Sequence, residues 1–245
     1  MSGSSDRRVA LVTGSARNIG AATVLELARL GFDVVVHTRA DEQAAQAVAT
    51  AAARSGVQAR VALGDLTDAD AVVRLAEEVG RVDVLVNNAA SRPHRPFLDV
   101  DLEEWRSVFA ITVEAPYLLS RAFVPGMRSR GWGRIVSMTG VRAQMGAAER
   151  ATSSSAKHAL IGFTRSLAHE FGRDGITVNA VCPGTVLTDR DQADPARQQQ
   201  RAGIGVLGRF GEPQDVAAVV GFLASDAGGY VTGQTIGANG GELMI

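Results

Sequence analysis

Short apolar runs alternate with longer segments of helical periodicity along the first third of the chain. The apolar runs lie at residues 9–12, 34–36 and 82–86, and a further one ends at Gly64 and Asp65. Helical patterns at about 22–31, 41–55 and 68–79 separate them. Because strands that alternate with helices of roughly 10–15 residues are typical of βαβ units, the pattern predicts a parallel sheet with helices on both faces.

The rest of the chain continues this alternation. Apolar residues recur at helical spacing from Trp105 to Phe123, strands are predicted at 133–138 and 177–182, and a long helix at 156–171. Pro116 has no amide hydrogen for the carbonyl of Thr112, so we expect the helix to bend there. No linker, charge block or repeat divides the sequence. We therefore predict one α/β domain, residues 1–245, built on a single Rossmann-type doubly wound parallel sheet.

Composition excludes several classes of function. The net charge is −1, which gives no electrostatic reason to expect nucleic acid or an anionic membrane as a partner. No apolar run reaches the roughly 18 residues of a membrane-spanning helix, and the first residues lack the apolar core of a signal peptide. Cys182 is the single cysteine, and no Cys/His cluster has metal-ligand spacing. We expect a soluble cytoplasmic protein without a metal.

A glycine turn follows the first predicted strand. It reads Thr13-Gly14-Ser15-Ala16-Arg17-Asn18-Ile19-Gly20 and leads directly into a helix. Strand, glycine turn and helix together suit a dinucleotide phosphate, because glycines let the backbone approach the phosphates and the helix N-terminus supplies unpaired amides. The alternative is a tight strand-to-helix connection without a ligand.

Lys157 is the only lysine in a chain with 25 lysine and arginine residues. Arginine is permanently charged and planar, whereas lysine is a compact ammonium whose pKa can be tuned. The isolated lysine indicates a position that requires an ammonium, although an arginine-rich composition could also leave one lysine by chance.

Six motifs resemble, in order and spacing, those of the short-chain dehydrogenase/reductase family, over about residues 7–241. They are Thr13-Gly14 with Gly20, Asp65-Leu66, Asn87-Asn88-Ala89-Ala90, Lys157, Pro183-Gly184-Thr185-Val186-Leu187-Thr188, and Gly233-Gln234 with Asn239-Gly240-Gly241. Asn18 stands where the family usually has glycine, and asparagine tolerates the left-handed backbone such a turn needs.

The resemblance implies a nicotinamide cofactor, and charge favours NADP(H) over NAD. The second strand ends in His37-Thr38-Arg39 rather than in an acidic residue, and with Arg17 this provides two guanidiniums for a 2′-phosphate. The cofactor-binding residues predicted in this way are Gly14, Ser15, Arg17, Asn18, Ile19, Gly20, His37, Thr38, Arg39, Asp65, Leu66, Asn88, Ala89, Lys157, Pro183, Gly184, Val186 and Thr188.

Most of the family's carbonyl chemistry is missing. The family uses a Tyr as proton donor four residues before the Lys, a Ser that polarises the carbonyl, and an Asn that positions a water; these positions hold Ser153, Gly140 and Thr112. An aliphatic hydroxyl is far less acidic than a phenol, so Ser153 is a poor acid. His94 could replace it, although a loop histidine is more often solvated. We place Gly140, Ser153, His94 and Met145 in the substrate pocket.

Three functions fit these residues. The chain could be a non-catalytic NADP-binding module, a reductase that uses His94 or water as its acid, or a reductase whose substrate supplies the acid through a phenol beside the carbonyl. The retained Lys157 argues against the first, and we favour the third, with an aromatic polyketide of angucyclinone type as substrate. Residues 189–210 are predicted to be a lid over this substrate. The family resemblance implies a homotetramer or homodimer.

Overall fold

In the part of the chain that the structure describes, seven strands form one sheet, and every strand is parallel to its neighbours. The structure is a computed structural model and describes residues 7–189 and 205–244. The strands are β1 Val9–Val12, β2 Asp33–Thr38, β3 Ala59–Leu63, β4 Val84–Asn87, β5 Gly133–Met138, β6 Ile176–Pro183 and β7 Thr235–Ala238. Their order is β3-β2-β1-β4-β5-β6-β7, so the direction of winding reverses between β1 and β4.

Helices cover both faces of the sheet, as predicted. They are α1 Asn18–Arg29, α2 Glu42–Ala53, α3 Ala69–Val79, α4 Leu102–Phe109, α5 Ala115–Arg130, α6 Val141–Met145, α7 Ala151–Phe171 and α8 Pro213–Ala224. One buried cluster joins α1, α2 and α8 to one face, and a second joins α3, α5 and α7 to the other. Within β1, Ala10 and Val12 belong to the first cluster and Leu11 to the second. Both faces are therefore apolar, which explains the continuous apolar runs in the sequence.

The helical run Leu102–Arg130 is interrupted by a π turn at Ala110–Glu114, just before Pro116. This turn is the predicted distortion, since the missing amide of the proline leaves the normal hydrogen-bond ladder incomplete. By length and hydropathy alone the run could cross a membrane. Its residues Leu119, Phe123 and Met127 are instead buried in the core against the sheet, as expected for a core helix.

The observed helix α7 begins at Ala151, earlier than the predicted start at residue 156. Ser153 therefore lies in the first turn of the same helix as Lys157. The predicted lid, 189–210, falls mostly at 190–204, outside the described residues. Its flanks are held together, because Leu187 donates a hydrogen bond from its amide to the carbonyl of Gly211 (2.8 Å), and Gly211 donates to Thr185 (3.0 Å).

Candidate active site

A cavity of about 560 Å³ opens at the carboxyl ends of the central strands, where the winding direction reverses. Open α/β sheets bind their ligands at this edge. Most predicted site residues line the cavity: Gly14, Arg17, Asn18, Ile19, Gly20, His37, Thr38, Arg39, Asp65, Leu66, Asn88, Ala89, Gly140, Ser153, Lys157, Pro183, Gly184, Val186 and Thr188. The structure does not bring Ser15, His94 or Met145 into the lining.

The glycine turn packs against the end of β4. Gly14 has φ +60°, and a Cβ there would lie 2.9 Å from the Cα of Ala89. At Gly20 a Cβ would lie 2.5 Å from the carbonyl oxygen of Gly14 and 2.7 Å from Nδ2 of Asn88. This Nδ2 donates hydrogen bonds to the carbonyls of Thr13 and Gly14 (both 2.9 Å). Neither glycine can carry a side chain without moving these backbone segments.

Asn18 begins α1 with φ +51°, the left-handed conformation anticipated for an asparagine at a glycine position. Its side-chain oxygen accepts a hydrogen bond from the amide of Asp189 (3.0 Å). The substitution therefore preserves the turn and ties it to the segment after β6. Because Asn18, Ile19 and Gly20 line the cavity, the amides at the start of α1 lie beside the space a pyrophosphate would occupy.

The ring of His37 is hydrogen-bonded to the glycine turn after β1. Its Nδ1 accepts a hydrogen bond from the amide of Gly14 (3.1 Å), and its Nε2 lies 3.1 Å from the carbonyl of Gly64. These partners require the neutral tautomer with hydrogen on Nε2. Burial lowers the pKa of His37 to about 4, more than the Gly64 carbonyl and Asp65 raise it, so the ring stays neutral at physiological pH.

Ser15, predicted to bind the cofactor, instead connects two strands. Its side chain is fully buried and donates from Oγ to the carbonyl of Val12 (2.7 Å), while the same oxygen accepts from the amide of His37 (3.1 Å). The hydroxyl is thus committed to fixing β1 against β2.

The two arginines predicted to recognise a 2′-phosphate lie at one end of the cavity. Arg17 pairs with Asp41 (2.5 Å), and Nη1 of Arg39 lies 4.0 Å from the carboxylate of Asp65. Asp65 accepts hydrogen bonds from the amide and hydroxyl of Thr67, which hold the pKa of its carboxyl below the usual value. Both guanidiniums remain largely exposed, so they can turn towards a phosphate.

Lys157 lies at the end of the cavity opposite Arg17 and Arg39, and it is only 8% exposed. Its Nζ donates hydrogen bonds to the carbonyls of Met138 (2.7 Å) and Thr139 (3.0 Å), at the end of β5. Burial, reinforced by the charge of Arg92, lowers the pKa of Lys157 to about 7, while Cys182 acts in the opposite direction. The ammonium is therefore rigidly placed and close to its titration point at neutral pH.

No phenol is placed to act as an acid among the described residues that line the cavity. Tyr117 is 46% exposed and Tyr230 is fully exposed, both away from the lining. Ser153 lines the cavity one helical turn before Lys157, and its hydroxyl lies 3.4 Å from the carbonyl of Arg150. A Cβ at Gly140 would touch only the carbonyl of Pro183 (3.9 Å), which leaves that side of the cavity open.

His94 and Met145 lie outside the cavity lining. The ring of His94 is half exposed and its Nδ1 lies 2.5 Å from the carboxylate of Glu149. Met145 is 61% exposed at the end of α6. In this arrangement His94 is turned to a carboxylate outside the lining, which removes the geometric basis for using it as a substitute acid.

Three guanidiniums that no sequence motif marks line the end of the cavity near Ser153 and Lys157. Arg92, Arg142 and Arg150 all line the cavity, together with Thr139 and Ile111. Arg92 lies in the loop after β4, Arg142 in α6 and Arg150 just before α7, and in an arginine-rich chain nothing in the local sequence marks them. The only available signal was position, since Arg92 follows β4 and Arg142 follows β5.

The described residues fit a nicotinamide dinucleotide. The cavity offers the amides of a helix N-terminus at its centre, exposed arginines at one end and a buried ammonium at the other. These groups match a pyrophosphate, a phosphorylated ribose and a ribose diol respectively. The adenine would lie beside Asp65 and Leu66.

Comparisons with known proteins identify the family. The family described as "Enoyl-(Acyl carrier protein) reductase" matches residues 14–242. The 3-oxoacyl-[acyl-carrier-protein] reductase of Pseudomonas aeruginosa is 39% identical over 242 residues, 97% of this chain and 98% of the relative. The acetoacetyl-CoA reductase of Shinella zoogloeoides is 36% identical, over 97% of this chain and 99% of that protein.

Solved structures give the same result. A blue fluorescent protein from a metagenomic library, in complex with NADPH, superposes with a TM-score of 0.90 at 35% identity, covering 97% of this chain and 98% of its own. An acetoin dehydrogenase from Enterobacter cloacae gives 0.88 at 35% identity, covering 97% and 96%. The chain therefore belongs to the short-chain dehydrogenase/reductase family, whose members are NAD(P)-dependent oxidoreductases.

Proposed function

We propose that this protein is an NADPH-dependent ketoreductase that lacks the family's tyrosine acid and takes its proton from a phenol of the substrate. One observation carries the proposal: the buried Lys157 and the cofactor-binding turn are intact, while Ser153 stands in place of the phenol. Overall, a ketone gains a hydride at carbon and a proton at oxygen to become an alcohol, and the phenolate that gave up the proton regains one from water.

NADP(H) is the cofactor predicted from the sequence, and a solved structure similar to this chain contains NADPH. When bound, NADPH supplies the hydride from C4 of its nicotinamide to the carbonyl carbon. The residues that line the cavity would hold this cofactor: Arg17 and Arg39 would bind the phosphorylated ribose, and Lys157 would bind the ribose at the reactive end. Val186 and Thr188 would lie along the nicotinamide. Such positioning alone supplies a large part of the rate enhancement.

A phenol next to the carbonyl supports the remaining step. Its hydroxyl donates an internal hydrogen bond to the carbonyl oxygen, and this bond strengthens as negative charge develops there. Polycyclic aromatic polyketides of angucyclinone type carry such phenols. In lacking the family's Tyr, Ser and Asn, the chain resembles the angucyclinone ketoreductase of simocyclinone biosynthesis.

A second candidate is reduction of a 3-oxoacyl thioester, with water as the acid. The names of the relatives from Pseudomonas aeruginosa and Shinella zoogloeoides favour it. Loss of the phenol at Ser153 weighs against it, because an aliphatic 3-oxoacyl group has no acidic hydroxyl beside its ketone. The non-catalytic alternative predicts NADPH binding without oxidation. Cytoplasmic location and homo-oligomeric assembly stay predictions.

Consumption of NADPH with matched ketones tests the proposal. We expect turnover of 2′-hydroxyacetophenone or 1-hydroxyanthraquinone and at least about tenfold slower turnover of the corresponding methyl ethers, because methylation removes the internal donor. Acetoacetyl-CoA serves as the thioester probe. Equal rates for phenol and ether, or turnover of the thioester alone, would contradict the role given to the substrate phenol. Tight NADPH binding with no turnover of any ketone would support the non-catalytic module.

A further inference from the structure

Three arginines from separate segments of the chain line the substrate end of the cavity. Arg92 lies after β4, Arg142 in α6 after β5, and Arg150 immediately before α7. All three line the same space as Ser153 and Lys157. The cavity therefore brings four cationic side chains to one end.

Hydrogen bonds fix the arrangement of these connections. Nη1 of Arg150 donates to the carbonyl of Arg92 (3.2 Å), and Oγ of Ser154 donates to the carbonyl of Arg142 (3.2 Å). The three backbone segments are thus joined to each other and to the start of α7. The guanidinium of Arg150 is thus held in place before a ligand arrives, which lowers the entropic cost of binding.

The charges of the cavity are strongly unequal. Among its described lining residues, Asp65 has the only carboxylate, and it lies at the adenine end, fixed by Thr67 and close to Arg39. At the substrate end, the charge of Arg92 is felt by Lys157 and contributes to its lowered pKa. A group of like charges in a partly closed site raises the local potential and attracts an anion.

The cofactor does not account for these arginines. Its pyrophosphate belongs at the turn after β1, and its 2′-phosphate belongs with Arg17 and Arg39. Arg142 follows Gly140 by two residues, Arg150 precedes Ser153 by three, and the charge of Arg92 acts on Lys157. All three therefore line the part of the cavity where the family resemblance places the substrate. Guanidiniums are suited to this task because their fork of donors matches a carboxylate or phosphate in pairs.

We propose that Arg92, Arg142 and Arg150 form an anion subsite, so that the substrate carries a carboxylate or a similar oxyanion in addition to its reducible carbonyl. This inference rests on the proposed function for the identity of the reaction and adds the charge of the substrate. Arg142, exposed on α6, is the residue best suited to a test, because its replacement disturbs little of the core.

The test uses 3-acetyl-4-hydroxybenzoic acid and its methyl ester, which share the ketone and the neighbouring phenol and differ in one charge. Calorimetry on the protein saturated with NADP⁺ measures their affinities without turnover. We expect the acid to bind at least about tenfold tighter than the ester at low salt, as charge-assisted hydrogen bonds would give, and the preference to decrease with ionic strength. Arg142→Gln should remove most of the preference for the acid over the ester. The control Arg54→Gln, at the end of α2 and outside this cavity, should leave that preference unchanged.

Equal affinities of wild type for acid and ester would overturn the anion subsite, as would a preference that Arg142→Gln leaves intact. Rates of NADPH oxidation with the same pair separate this inference from the proposed function. Acid-selective, Arg142-dependent binding without turnover would keep the subsite and contradict the reductase. Turnover of both ketones with no selectivity would keep the reductase and contradict the subsite.

Discussion

Replacing Lys157 by methionine should separate the stability of the protein from its function. Methionine keeps an unbranched apolar stem and removes the ammonium. Burial lowers the pKa of Lys157 from 10.5 to about 7, and at about 1.4 kcal/mol per pKa unit the charged form is destabilised by roughly 5 kcal/mol. Against this, the carbonyls of Met138 and Thr139 lose their donor, which costs about 1–3 kcal/mol each. These effects nearly cancel, so the cofactor-free variant should be about as stable as wild type at pH 7.

The pH dependence gives the sharper test. Because the folded pKa lies below the unfolded one, the unfolded chain binds more protons between pH 7 and 10.5, and wild-type stability rises with pH in that window. The rise amounts to about 1.5 kcal/mol between pH 7 and 8.5. No other lysine contributes, because Lys157 is the only one. Burial raises the pKa of Cys182, which acts with the opposite sign at higher pH, so the measurement is confined to the window from pH 7 to 8.5.

Urea unfolding of wild type and Lys157→Met at several pH values in this window measures the difference directly. The variant should lack the rise, and NADPH should raise the unfolding midpoint of wild type but hardly that of the variant. Arg165→Met, an exposed cation on the same helix, is the control and should behave as wild type. A wild-type curve parallel to that of Lys157→Met would refute the buried, titrating ammonium. Equal stabilisation of both by NADPH would refute its part in cofactor binding.

Three further predictions concern the rest of the cavity. Gly20→Ala should lower stability by about 1–3 kcal/mol and abolish NADPH binding, since its Cβ would collide with Asn88; unchanged unfolding and binding curves would contradict the packing of the turn. Arg17→Ala with Arg39→Ala should reduce the preference for NADPH over NADH by roughly tenfold or more in fluorescence titrations, and a retained preference would place the 2′-phosphate elsewhere. Ser153→Ala should keep most of the activity with phenolic ketones, because the hydroxyl is not the acid; complete loss would make it a participant.

The sequence predicts the nucleotide half of the molecule well because its signals are local. The apolar run of β1, the glycine turn and the periodicity of α1 are contiguous, and each depends on its neighbours in the chain. The positive φ of Asn18 could also be predicted, because tolerance of this conformation is a property of asparagine itself.

Other features depend on contacts between distant segments. The neutral ring of His37 can bond to both segments only because Gly14 and Gly64, from two different connections, lie within hydrogen-bond distance of it. The hydroxyl of Ser15 is bonded to Val12 and His37 and faces away from the cavity lining, although its place in the turn is that of a predicted phosphate ligand. No periodicity or motif encodes these pairings.

Position 153, where this chain has serine and the family has tyrosine, affects both the source of the proton and the charge of the pocket. A phenol there would fill the space beside Lys157 and supply an acid, whereas a serine hydroxyl supplies neither bulk nor acidity. The space remains bordered by Gly140, which carries no side chain, and by Arg142 and Arg150. Cations at this border lower the energy of an alkoxide as it forms, although an arginine gives up its proton too reluctantly to neutralise it. A substrate that carries its own acidic hydroxyl and an anionic group fits this pocket. The hydroxyl gives its proton to the alkoxide, and the anion orients the ketone towards the hydride.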